Sequence, residues 1–168
     1  MISRGLAAAG RKVSTTTVGE YAEELKRNFL LFEARRFDLQ GSAYLNTLEK
    51  YYLGDLGFRF WLLGKSSGDL GHRVENVVYL ELLRRCREVC VGKWRDAEVD
   101  FVALGSGGPH YYQVALSVLD EAVLAREFAP LRALRDNSPK TLLTLDRVGA
   151  GDHYGIEQVN VIDWLLGE

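Results

Sequence analysis

The tetrapeptide Gly105-Ser106-Gly107-Gly108 separates two stretches that each read as a β-strand, Glu98 to Leu104 and His110 to Leu116. Two such runs joined by a glycine-rich turn make a hairpin. The chain just before it supplies a third strand, Glu88 to Trp94, and the strongest helix of the sequence, from Leu70 to about Arg87. At 100° per residue, Val74, Val78 and Leu82 form one stripe of that helix. Glu75 and Glu81 lie about 60° to either side of Val78, at the edges of the buried face. After the hairpin, Val123, Leu124, Phe128, Leu131 and Leu134 mark a helix from about Asp120 to Leu134. Lys140 to Leu145 reads as a buried strand, Val159 to Ile162 as a short strand, and Asp163 to Leu166 as a closing helical turn. The core order expected is α-β-β-β-α-β.

Upstream, Ile2 to Ala9 reads as a short helix broken at Gly10-Arg11-Lys12. Ser14 or Thr15 then caps a second helix, in which Val18, Tyr21, Ala22, Leu25 and Phe29 recur at helical spacing. Glu20, Glu23 and Glu24 fall in its first turns. Leu30 to Phe37 is a strand, Asp38 to Ser42 a turn, and Tyr44 to Leu53 a returning strand. Helix, turn, helix and a two-stranded ribbon follow the order of a winged helix. We therefore expect two parts of an α/β (α+β) chain, residues 1–53 and 54–168. A short apolar helix around Phe60-Trp61-Leu62-Leu63 follows the junction.

Composition narrows the function classes. With 47% hydrophobic and 26% charged residues, the 168-residue chain has the makings of a proper core. A net charge of −2 argues against nucleic-acid binding by bulk charge. No apolar run approaches the ~20 residues that span a bilayer, and no secretory leader is visible, so a cytoplasmic location is expected. Cys86 and Cys90 match no common zinc spacing and read as reduced packing residues. Gly64-Lys65-Ser66 imitates the end of a phosphate-binding loop, but Arg59 stands where that motif needs glycine, which excludes ATP binding through it.

The chemistry-bearing residues gather around the hairpin. Glu75 edges the helix, Asp100 heads the second strand, and Gln113 lies on the third. In the α-β-β-β-α-β nuclease fold, an acid on the second strand and a Glu-x-Lys pair on the third share a face and hold Mg²⁺ against a phosphate. Here Gln113 occupies the Glu position and Ala115 the Lys position. Gln113 offers a carbonyl oxygen without charge, and Ala115 does neither job of the lysine. The plainer reading is an acidic, solvated strand face carrying Glu98 and Asp100, with Val99 and Phe101 turned to the core, and Glu75 paired with a basic residue.

Several segments together resemble the C-terminal domain that follows the ATPase module in many prokaryotic AAA+ ATP-binding proteins. They are Ser14 to Val18 with Tyr21 and Leu25, Lys50 to Gly57, Gly71-His72 with Glu75-Asn76 and Glu81-Leu82, and Glu98 to Phe101. Gln113-Val114, Arg126 to Phe128, Asp136 to Lys140 and Gly155-Ile156 complete the set. The resemblance implies a winged-helix segment joined to a PD-(D/E)XK nuclease-like domain. It also implies a vestigial catalytic and metal site at Glu75, Asp100 and Gln113, with Mg²⁺ held weakly if at all, and an AAA+ ATPase domain or another protein as partner.

Three functions follow. The first is a non-catalytic docking module. The second is a metal-dependent nuclease with an altered site. The third is a DNA-binding winged helix, for which Thr15, Thr16, Lys26 and Arg27 are the residues placed to meet a groove or phosphates. Eight basic and six acidic residues in 1–53 permit DNA contact without demanding it. The docking module is the favoured reading.

Overall fold

A computed structural model describes residues 14–47, 49–64 and 70–167. The expected first helix at Ile2 to Ala9 and most of the Gly64 to Gly68 loop lie outside them. Helix α1 (Thr15–Arg27) is capped by Ser14, whose hydroxyl accepts from the Thr17 N–H at 3.0 Å. Strands β1 (Leu31–Ala34), β2 (Arg36–Asp38), β3 (Ala43–Tyr44) and β4 (Lys50–Leu53) follow. Then come α2 (Leu56–Leu63), α3 (Leu70–Arg85), β5 (Glu88–Trp94), β6 (Ala97–Gly105) and β7 (Gly108–Val114). The chain ends with α4 (Glu121–Ala133), β8 (Lys140–Thr144), β9 (Gly151–Asp152), β10 (Glu157–Asn160) and α5 (Val161–Leu166).

The strands form a two-stranded sheet, β1-β4, and an eight-stranded sheet in the order β3-β2-β5-β6-β7-β8-β10-β9. Strands β5, β6 and β7 are an antiparallel meander, and β8 joins β7 in parallel. The expected α-β-β-β-α-β order is therefore the order of α3, β5, β6, β7, α4 and β8. Helices α3 and α5 pack one face, around Val78, Tyr79, Leu82, Phe101 and Val161. Helix α4 packs the other with Phe128 and Leu131, against Val99, Val102 and Tyr111. Among the described residues, no helix is long and apolar enough to cross a membrane.

The N-terminal strands depart from the sequence expectation. The run from Leu30 to Phe37 does not form one strand. It divides at Arg35, so that β1 pairs with β4 while β2 pairs in parallel with β5 of the large sheet. The returning strand likewise splits into β3 and β4. Ala34 and Tyr52, which precede residue 53, belong to the same apolar cluster as Val78, Tyr79 and Phe101. The rings of Tyr52, Tyr79 and Phe101, from β4, α3 and β6, lie 4.2 to 5.6 Å apart centre to centre. Aromatic pairs at such spacings add to what area burial alone provides.

Two local devices hold β4 and β5 in place. The buried Asn76 of α3 accepts from the Leu53 N–H and donates to the Leu53 carbonyl, both at 2.8 Å, so its side chain acts as one more strand residue for β4. On β5, a Cβ at Gly92 would come within 2.8 Å of Val102 Cγ2 and 3.0 Å of Leu39 Cδ1, so glycine lets β6 and the turn after β2 approach.

The Asn76 clamp generates a prediction. Asn76→Ala leaves a backbone donor and an acceptor beneath α3 without partners, at a cost of about 2–4 kcal/mol. Urea unfolding followed by circular dichroism should show that loss. A change below about 0.5 kcal/mol would mean that water takes over both bonds.

Candidate functional site

Asp100 owes its position to an irregularity in β6. Cys90 pairs with Val102 and Gly92 with Val99, so Val91 alone faces two residues, Asp100 and Phe101. This is a β-bulge, which resets the alternation of the strand. Val99 and Val102 consequently enter the α4-side core, whereas Phe101 and Ala103 enter the α3-side core. The expectation that Val99 and Phe101 share a face is corrected here: a regular strand would place them together, and the extra residue separates them.

Beyond Phe101 and Tyr112 the backbone ladder between β6 and β7 ends. Side chains continue it. The Gln113 carbonyl Oε1 accepts from the Asp100 N–H at 3.3 Å, and Asp100 Oδ2 accepts from the Val114 N–H at 2.9 Å. The other end of the Gln113 carboxamide donates to Glu127 Oε2 on α4 at 3.2 Å. Glu127 in turn accepts from the exposed Arg126 guanidinium at 2.7 Å. Strand β7 meanwhile stays paired with β8, and Ala115 continues that register by donating its N–H to the Leu143 carbonyl at 3.0 Å. Ala115 packs with the α4-side core, on the face of the sheet away from α3 and Glu75.

Glu75 reaches the same region from α3. Its Oε1 accepts from the Tyr52 hydroxyl at 2.7 Å and from Lys50 Nζ at 3.2 Å, while His72 Nδ1 lies 3.6 Å from Oε2. Lys50 is the group that sequence reasoning missed. Its Nζ also lies 2.8 Å from Glu98 Oε1, and Glu98 is bound on its other oxygen by Arg36 of β2. Burial works to lower the Lys50 pKa, but the surrounding charges of Glu75, Glu98 and Asp100 outweigh it and hold the ammonium above its ordinary value. Burial likewise opposes ionisation of Glu98, and the Lys50 and Arg36 charges prevail, keeping that carboxyl below its usual range. Lys50, Tyr51, Tyr52, Arg59, His72 and Glu75 line a cleft of about 340 Å³.

Asp100 itself is partly buried. Burial first, and then the charge of Glu75, push its carboxyl up to about 7, against the Val114 N–H and Lys50, which favour the charged form. The structure thus brings Asp100 and Gln113 into direct contact and sets Glu75 near enough to act on Asp100 electrostatically. The Mg²⁺ implied by the sequence resemblance would need free oxygens from these three residues. Glu75 Oε1, Asp100 Oδ2 and Gln113 Oε1 each already accept from a protein donor. Among the described residues, no three His, Cys, Asp or Glu side chains form a group able to hold a metal ion. The residues present do not fit the ion.

The residues considered for nucleic acid stand on α1. Thr15 and Thr16 open the helix. Lys26 is held by Glu23 at 2.7 Å and by Glu33, and Arg27 by Glu24 at 2.7 Å. Both cations are answered within the chain, which leaves this face little net charge for phosphates. Cys86 and Cys90 are free thiols, and burial pushes the Cys90 thiol up to about 12, which suits a packing role.

The Asp100 carboxyl gives a pH prediction. Its folded pKa of about 7 lies above the unfolded value of about 3.9. Such a group contributes stability that is fully present below the unfolded value and is lost as pH rises through the folded one. Asp100→Asn removes this titration. The stability of the variant relative to the parent should therefore rise between about pH 4 and 7 and level off above that range. Urea titrations of both proteins across the window check it. A constant difference would show that folding does not raise the Asp100 pKa.

No protein-family model matches the chain, and no solved structure matches it. A Haemophilus influenzae protein described only as an uncharacterized protein is 35% identical over 165 residues, covering 98% of this chain and 40% of that relative. The chain therefore spans about two-fifths of the length of the curated relative to which it is similar.

Proposed function

We propose that this chain is a non-catalytic interaction module of a longer AAA+ ATP-binding protein. In this reading, a winged-helix-like first segment is built onto a PD-(D/E)XK nuclease-like core whose carboxylate site has passed to structural use. The order α3-β5-β6-β7-α4-β8, with an antiparallel meander and a parallel fourth strand, supports the nuclease-like part. The internal bonding of Asp100, Gln113 and Glu75 supports the loss of catalysis. The longer relative supports a chain that works beside further sequence.

The observation that carries docking is α2. Asp55 caps it by accepting from the Gly57 N–H at 2.6 Å, and Gly64, at φ +68°, ends it. Between them stands Leu-Gly-Phe-Arg-Phe-Trp-Leu-Leu. A helix with six large apolar residues in eight, and Arg59 as its one charge, has more apolar surface than an exposed helix usually carries. Here Trp61 is 80% and Leu62 68% exposed, with Phe58 and Phe60 also exposed. Leu56 links this helix to a second apolar cleft of about 320 Å³, lined with Leu70, Val74, Val77, Leu145, Val161 and Leu165. An apolar patch of this kind marks a surface that another protein covers. The paired state of Lys26 and Arg27 favours a protein partner over DNA.

The test uses the ATPase domain encoded in frame with, or beside, this chain. Mixing the two should give a saturable complex with a blue shift of tryptophan emission as Trp61 leaves water. Trp61→Ser with Leu62→Ser should weaken it about thirty-fold or more, as expected of a buried aromatic anchor. A complex indifferent to both substitutions, or no complex between well-folded parts, would contradict the proposal.

A further inference from the structure

The aliphatic cleft of about 320 Å³ beside α2 holds a single charged group. Leu56 of α2, Val74 and Val77 of α3, and Val161 and Leu165 of α5 are among its walls, and Arg73 of α3 is set between them. Arg73 is half-buried, and its Nε, shielded from water, has no hydrogen-bond partner among the described residues. It is the one buried side-chain nitrogen or oxygen among them left in that state. Buried polar groups are almost always hydrogen-bonded, and a donor that belongs to a cation is the most costly kind to leave unpaired. The carboxylates of α3 do not answer it. Glu75 is taken by Tyr52 and Lys50, and Glu81 by Arg84 and Arg85.

We propose that this cleft docks a helical segment of a partner protein that presents aliphatic side chains beside one acidic side chain, and that the acid pairs with Arg73. The inference rests on the docking reading above and specifies what the partner offers. The aliphatic walls take apolar side chains and supply affinity through burial. Val74 and Val77 stand one turn apart on α3, as do Val161 and Leu165 on α5, so the cleft receives side chains at the spacing that a helix carries them. The guanidinium supplies selectivity. A turn of its unbranched stem brings the Nε–Nη edge to a carboxylate, which accepts two parallel hydrogen bonds. A partner without the acid would leave Arg73 Nε unpaired. Two observations favour a protein segment over a small aliphatic acid. Leu56 joins the cleft to α2, whose Phe58, Trp61 and Leu62 are exposed, as are Leu70 and Ile162 of the cleft's own lining. That is more apolar surface than one acyl chain covers. The Haemophilus influenzae relative also carries further polypeptide, since this chain covers 40% of it.

The probe is a capped alanine–lysine helix with leucines at i, i+3 and i+7 and a glutamate at i+4, titrated into the full chain and into Arg73→Gln. The readouts are the Arg73 Nε–Hε resonance and the methyl resonances of Val77 and Leu165. In the parent all should shift saturably, and a helix with glutamine in place of the glutamate should bind about ten-fold or more weakly, as expected of a lost charge-assisted bond. In Arg73→Gln the two helices should bind alike. The proposal is overturned if the parent does not distinguish the helices, if the preference for glutamate survives Arg73→Gln, or if neither helix moves these resonances. Decanoate binding more tightly than the glutamate helix would make this a site for aliphatic acids and equally defeat it. The comparison within the parent needs no variant, so it decides even if Arg73→Gln does not fold. The docking reading fails separately. An ATPase-domain complex weakened by Trp61→Ser with Leu62→Ser but indifferent to Arg73→Gln keeps that reading and removes this inference. No such complex, with the glutamate helix still bound at Arg73, removes that partner and keeps the chemistry of the cleft.

Discussion

The exchange between Asp100 and Gln113 is the constraint on which the centre of the molecule depends. Strand β7 must leave β6 after Tyr112 to remain paired with β8. The parting would strand backbone groups inside the protein. The Gln113 carbonyl and the Asp100 carboxylate replace the missing backbone partners at the Asp100 and Val114 N–H groups. The bulge opposite Val91 makes this possible, because it gives β6 the extra residue that sends Val99 and Phe101 into different cores. An apolar residue at either position would leave a partly buried donor without its protein partner, so polarity at 100 and 113 has a structural reason that precedes any catalytic one.

Charge is arranged around that exchange in two groups. On the α3 side, Lys50 and Arg36 answer Glu75 and Glu98. On the α4 side, Glu127 takes the Gln113 carboxamide and the Arg126 guanidinium. Asp100 lies between them and is the group whose ionisation the surroundings disfavour. A nuclease would use such a site the other way, leaving oxygens open to a metal and a lysine directed at the substrate. Here the lysine is directed at the carboxylates. Its origin in β4 also ties the N-terminal ribbon to the large sheet, together with Tyr52 and the Asn76 clamp.

Much of this was legible in the sequence. The α-β-β-β-α-β order, a cap at Ser14 or Thr15 and the placement of Glu75 beside the stripe of α3 follow from periodicity and turn chemistry. Three things did not follow. The bulge is invisible to a period-two reading, which assigns Val99 and Phe101 to one face. The split at Arg35 joins β2 to β5 across more than fifty residues, a pairing that local pattern does not encode. Lys50 stands 25 residues before Glu75, in a stretch that reads as part of another unit, so spacing along the chain does not connect it to the carboxylates. The exposure of α2 was equally hidden, since an octapeptide with six large apolar residues and Arg59 as its one charge predicts burial, and only the packed structure shows Trp61 in solvent.

The central proposal is that the carboxylates of this site serve the fold and do not hydrolyse phosphodiesters. Incubating the chain with plasmid, single-stranded DNA and RNA in Mg²⁺ or Mn²⁺ tests it most directly. The account predicts no cleavage above that of a matched Glu75→Gln, Asp100→Asn control. Cleavage by the parent that disappears in the control, with the control still folded, would contradict it.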